Sequence, residues 1–186
     1  MALAASAGGL NALGSVLGGL PAGFSVPVVA VEHLQPDHAS YLPKLLDRRT
    51  ALSVRPAADG ERLEAGRVYV APPDVHTVVE GDVIHLEDTP PVRFLRPSID
   101  RLFHSIAESY GAGALVVVLT GTGTDGAAGA RAVKDAGGVV LVQDEGTSEH
   151  FGMPRAAIAA GAVDQVLPLE EIPDAILGIM VAGDAR

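Results

Sequence analysis

The sequence predicts an α/β fold: a doubly wound, mostly parallel sheet flanked by helices, with one antiparallel hairpin excursion. Three observations predict it. Apolar, β-branched segments such as Val26–Glu32, Ala114–Thr120 and Val139–Gln143 run almost without polar alternation, as strands covered on both faces do. They alternate with stretches of helical periodicity, the rhythm of a parallel sheet with crossover helices. The composition is 48% hydrophobic but only 4% aromatic, with no Trp, 22 Gly and 13 Pro. A core of Ala, Val, Leu and Ile with many Gly turns suits α/β layers better than a β-sandwich. At 186 residues, the chain is expected to form a single domain, residues 1–186.

In chain order, Leu3–Ala5 reads as a short first strand and Val26–Glu32 as a second, fully buried in character. Leu52–Pro56 and Val68–Ala71 are the next two candidates. Val75–Val79, the Glu80-Gly81-Asp82 turn and Val83–Glu87 form the hairpin. Ala114–Thr120, Val139–Gln143 and Val163–Leu167 complete the strands. Between them, Leu10, Leu13, Val16, Leu17 and Leu20 recur at helical spacing, as do Ile99, Leu102, Phe103 and Ile106 behind a cap-like Ser98. Ala127–Ala136 is closed by Gly137-Gly138, a helix stop. Met153–Ala160 and Leu169–Met180 are the last helical stretches, and His38 is expected near a helix start.

Charge and cysteine usage narrow the function. Thirteen basic against 23 acidic residues give a net charge of −10, with a pI near 4.9. That argues against nucleic-acid and anionic-membrane partners, which need a basic footprint. Zero Cys removes disulfides, thiolate zinc sites and a cysteine nucleophile together. No apolar run approaches the ~18 residues that span a bilayer, and the apolar start lacks a basic n-region. The expectation is a soluble, cytoplasmic protein without membrane insertion.

Ligands of open parallel sheets gather at the carboxyl ends of the strands. Strand one ends at Ser6, strand two at His33, and the strong Ala114–Thr120 strand leads into a Gly-rich turn carrying Asp125. A hydroxyl, an imidazole and a carboxylate on one sheet edge are the parts of an acyl-transfer triad. Each also has a plainer reading: Ser6 as a helix N-cap, His33 as a surface histidine, Asp125 as a carboxylate favoured by a helix dipole. A rival signal shares the place. Gly121, Gly123 and Gly126 satisfy G-x-G-x-x-G between a strand and a helix, and Asp144 ends the next strand where a ribose-binding acid belongs. Asp125 inside such a turn would set a negative charge beside a pyrophosphate. His76, His85, His104 and His150 have no partner at ligand spacing, so no metal site is expected.

Six segments occur in order: S-A-G-G (Ser6–Gly9), H-L-Q-P (His33–Pro36), R-V-Y-V-A-P-P (Arg67–Pro73), R-P-S-I-D-R-L-F-H-S (Arg96–Ser105), L-T-G-T-G-T-D-G-A-A-G (Leu119–Gly129) and F-G-M-P-R-A-A-I (Phe151–Ile158). Together they resemble the catalytic domain of the CheB-type chemotaxis receptor methylesterases, over nearly the whole chain. The resemblance implies Ser6 as nucleophile, His33 as base and Asp125 as its orienting acid. It also implies hydrolysis of γ-glutamyl methyl esters on the cytoplasmic helices of methylated chemoreceptors, with deamidation of receptor glutamines as a second activity, and no cofactor or metal.

The sequence departs from the family pattern at three places. Ala4 and Ala7 stand where Gly and Thr are frequent around the serine, and Thr122 takes a methionine position. The backbone N–H groups of Ala7 and Thr122 are the expected oxyanion donors, a role any side chain permits. No segment reads as the receiver domain that typical members carry. The alternatives to a methylesterase are a dinucleotide-binding oxidoreductase using Gly121–Gly126 and a non-catalytic receptor-binding module.

Overall fold

The computed structural model describes residues 1–33 and 41–184. Seven strands form one parallel sheet: β1 (Ala2–Ala5), β2 (Val28–Glu32), β3 (Ser53–Pro56), β4 (Arg67–Val70), β7 (Leu115–Val118), β8 (Val139–Gln143) and β9 (Gln165–Leu167). β5 (His76–Glu80) and β6 (Val83–Glu87) pair antiparallel as a separate hairpin. The order across the sheet is β3-β4-β2-β1-β7-β8-β9. The chain therefore winds outward from β1 in one direction, then returns beside it as β7 and winds the other way. That reversal is the switch point where open α/β sheets bind ligands.

The strands alternate between two cores, as the two-residue period requires. Ala2, Ala4, Val29, Val31, Val116, Val118, Val140 and Val142 face one layer, with α3 (Ile99–Tyr110), α4 (Ala127–Asp135) and α5 (Gly152–Ala159). Leu3, Ala5, Val28, Ala30, Leu115, Val117 and Leu141 face the other, with α1 (Gly9–Gly18), α2 (Leu42–Asp47) and α6 (Ile172–Asp184). Burial on both faces is why these strands read as uninterrupted apolar runs.

The expected fold is present, with local corrections. The sequence carries no periodic signal for α2: it has only six residues, and Pro43 sits in its first turn, where a missing N–H costs nothing. Its expected neighbour, a helix start at His38, lies outside the described residues. β2 begins at Val28 because Pro27 has no N–H to donate. β9 starts at Gln165, not Val163, because Asp164 turns inward to cap the edge: its Oδ2 accepts from the Val140 N–H at 2.8 Å.

Candidate active site

The ends of β1 and β7 meet around Ser6. Its N–H donates to the Thr120 carbonyl at 3.0 Å, and its own carbonyl accepts from the Gly9 N–H at 2.8 Å. The tight turn needs a left-handed residue, supplied by Gly8 at φ 81°, which is also the N-cap of α1. Ser6 is therefore not the cap, and its hydroxyl makes no hydrogen bond to a described residue. Gly121 is required by contact: a Cβ there would lie 2.9 Å from Ser6 Cβ and 2.3 Å from Met153 Sδ. Thr120 fastens the turn from behind. Its Oγ1 lies 3.1 Å from the Ala7 carbonyl and accepts from the His150 N–H at 2.8 Å. The Thr120 N–H donates to Gln143 Oε1 at 2.8 Å, and Gln143 Nε2 in turn donates to the Thr147 carbonyl.

β2 delivers His33 to the same edge, its N–H bonded to the Ala5 carbonyl at 3.3 Å. His33 Nε2 lies 2.9 Å from Asp125 Oδ2. Asp125 is buried and heavily bonded: the Ile99 N–H reaches Oδ2 at 2.7 Å, the Asp100 N–H reaches Oδ1 at 3.0 Å, and Ser98 Oγ lies 3.2 Å from Oδ1. Burial pushes this carboxyl upward. The bond from His33, the two backbone N–H groups and the charge of His33 outweigh it, holding the pKa below the ordinary carboxylate value. An ionised Asp125 can only accept, so Nε2 carries the hydrogen and Nδ1 is left to take a proton.

The plainer reading of Asp125, as a carboxylate serving the helix that follows it, holds in part: its Oδ1 accepts the Gly126 N–H at 3.1 Å. Beyond that, two acids reach across to each other's helices. Asp125 accepts the first N–H groups of α3, while Asp100 of α3 accepts those of α4: Gly126 N–H at 2.9 Å and Gly129 N–H at 2.8 Å, both on Oδ1. Burial raises the Asp100 pKa, aided by the charge of Asp125 and opposed by the Gly129 and Gly126 N–H groups and Arg93. Ser98 is set by His76, a fully buried residue whose Nδ1 accepts the Ser98 N–H at 3.1 Å while Nε2 donates to the Pro90 carbonyl at 3.1 Å.

This arrangement overturns the dinucleotide reading. The Gly126 and Gly129 N–H groups that open α4, where a pyrophosphate would sit, are already bonded to the Asp100 carboxylate, and the Gly121 N–H to the His150 carbonyl. Asp144, the expected ribose acid, is spent on its own turn, accepting from Thr147 N–H at 2.9 Å and Thr147 Oγ1 at 2.6 Å.

Ser6, His33, Thr122 and Asp125 line one cavity of about 330 Å³, together with Arg93, Leu95, Gly123 and Thr124. The N–H groups of Ala7 and Thr122 donate to no acceptor among the described residues. Among those residues, no group of three His, Asp or Glu could hold a metal ion. Leu34–Pro36 of the H-L-Q-P segment lie outside the described residues. Sequence reasoning missed Asp100, His76 and Gln143 in the support of the site, and Arg93 on its rim. Asp100 was within reach: it lies inside a quoted motif, two residues after the Ser98 cap.

No helix among the described residues is long and apolar enough to cross a membrane. Residues 1–176 match the CheB methylesterase family. A protein-glutamate methylesterase/protein-glutamine glutaminase of Anaeromyxobacter dehalogenans is 48% identical over 94% of this chain and 51% of its own length. One of Chromohalobacter salexigens is 44% identical over 94% of this chain and 50% of its own. The chain thus spans about half the length of the curated relatives it matches. The crystal structure of the Thermotoga maritima CheB methylesterase catalytic domain superposes with a TM-score of 0.91, at 35% identity and 96% coverage of both chains. With its sheet order, its Ser6 turn and its match along nearly the whole length, the chain belongs to the CheB methylesterase family.

Proposed function

We propose that residues 1–186 form a catalytic domain that hydrolyses γ-glutamyl methyl esters, with Ser6, His33 and Asp125 as its triad. The observation that carries the reading is the buried Asp125 bonded to His33 Nε2 at 2.9 Å, in a cavity shared with Ser6. The names of the relatives support the substrate class, and the resemblance supports the setting: methylated helices of chemoreceptors, in the cytoplasm.

In the first half-reaction His33 Nδ1 takes the Ser6 proton as Oγ attacks the ester carbonyl. The oxyanion is received by the N–H groups of Ala7 and Thr122, where loss of one such donor typically costs ~3 kcal/mol. Collapse breaks the acyl–oxygen bond, and the protonated His33 gives its proton to the leaving methoxide, so methanol departs. Water then attacks the acyl-enzyme with His33 again as base, regenerating the Ser6 hydroxyl and leaving a glutamate carboxylate. With a glutamine side chain, ammonia takes the place of methanol.

A fluorophosphonate provides the test. It should add a single phosphonyl group to the chain, mapped to Ser6 by peptide mass spectrometry and abolished in Ser6→Ala. Labelling elsewhere, or none in folded protein, would contradict the assignment.

A further inference from the structure

Residues 88–97 close one side of the cavity, and their base and tip are built differently. The base is fully bonded. The Arg96 guanidinium donates to Asp74 Oδ1 (Nε at 2.9 Å), to Asp88 Oδ1 at 2.8 Å and to the Thr89 carbonyl at 3.2 Å. Arg101 donates to Thr89 Oγ1 and pairs with Glu87, and His76 holds the Pro90 carbonyl.

The tip has none of these satisfactions. Val92 and Leu95 exchange two backbone hydrogen bonds, 3.0 and 2.9 Å, so Arg93 and Phe94 are the central pair of a two-residue turn. Both are left-handed, at φ 48° and 69°, where Asn and Gly are preferred and a Cβ is strained. Phe94 is 100% exposed. The Arg93 guanidinium donates no hydrogen bond to a described residue. Its nearest acid is Asp100 Oδ2, at 4.0 Å. Arg93 is also the sole fixed cation among the described residues lining the cavity, in a chain of net charge −10.

Strain, a bare aromatic ring and a guanidinium that donates no hydrogen bond to a described residue coincide at two adjacent residues, on a hydrogen-bonded base, beside the cavity. Arg and aromatic side chains are also those that dominate protein interfaces. We infer that the Arg93–Phe94 turn grips the protein substrate: Phe94 packs on the apolar stripe of an acidic helical segment, and Arg93 donates to a carboxylate neighbouring the esterified glutamate. The inference rests on the methylesterase reading for the identity of that segment. The guanidinium fork supplies two parallel donors to a carboxylate, which Lys would not.

The test is the affinity of this chain for a methylated cytoplasmic helical fragment of a chemoreceptor, by fluorescence anisotropy at low and high salt. A small γ-methyl-glutamyl ester serves as a second substrate. Arg93→Gln and Phe94→Gly should each raise Kd about tenfold, and Arg93→Gln should also flatten the salt dependence. Phe94→Gly suits the left-handed position, so Tm should hold or rise; Phe94→Asn is a second variant tolerant of that geometry. Hydrolysis of the receptor ester should fall more than that of the small ester. Unchanged Kd in both variants, failure of the parent to bind, or equal losses on the two esters would overturn the inference. Binding that weakens as expected in a parent that releases no methanol would instead defeat the esterase reading alone.

Discussion

Glu32 precedes His33 in the chain, and its carboxyl packs against the start of α1, where a Cβ on Gly9 would come within 2.4 Å of Oε1. Burial pushes its pKa up to about 7, against the Leu10 N–H and the charge of His33, which lower it. A raised carboxyl binds more protons folded than unfolded, so stability falls as pH rises from about 4.5 to about 7 and stays lowered above. Glu32→Gln keeps an acceptor and removes the charge. Its Tm should exceed the parent's at pH 8 and converge with it at pH 4, measured by thermal denaturation in matched buffers. A Tm difference independent of pH would show that Glu32 is not the titrating group. At Asp125 the effect is on rate: Asp125→Asn leaves His33 without an obligate acceptor and should lower ester turnover by up to about 10⁴-fold. Neither parent nor variant should bind NAD, since the Asp100 carboxylate occupies the N–H groups at the start of α4. Calorimetric titration with NAD checks this.

Between α3 and α4, two acids 25 residues apart in sequence cap across the gap and tie the helices into one unit. Asp100→Ala strips the buried Gly129 N–H of its acceptor and leaves the Gly126 N–H only Asp125 Oδ1, at 3.1 Å, and should destabilise the fold by roughly 1–3 kcal/mol. Urea denaturation should show a lower midpoint at an unchanged slope. Asp100→Asn retains Oδ1 and should cost clearly less; equal losses would mean that capping is not its role. Such cross-element bonds are what the sequence could not display. Val26–Glu32 and Val139–Gln143 were legible as strands because burial on both faces demands apolar runs. The hairpin was legible because Gly81 marks its turn, and Ser6, His33 and Asp125 emerged from one rule about strand ends. Asp100 and His76 remained hidden because their partners lie 14 to 29 residues away, and local propensity carries no such information. α2 was hidden by brevity and by Pro43.

At the scale of the whole molecule, the reversal of winding between β1 and β7 is what makes the site. It places the Ser6 turn against Thr120 and Gly121, while β2, on the other side of β1, delivers His33. The order of the strands was not readable from their composition, since the buried strands are all short runs dominated by Val or Ala. Three segments distant in sequence thus converge on one edge of a parallel sheet, and the proposed hydrolysis requires that they act as one nucleophilic unit. Methanol release from methylated receptor, compared between the parent chain and Ser6→Ala, tests this most directly. Ser6 caps no helix and its hydroxyl is bonded to no described residue, so Ser6→Ala should stay folded with an unchanged Tm while turnover falls by several orders of magnitude. A folded Ser6→Ala protein that releases methanol at a rate near the parent's would contradict the account.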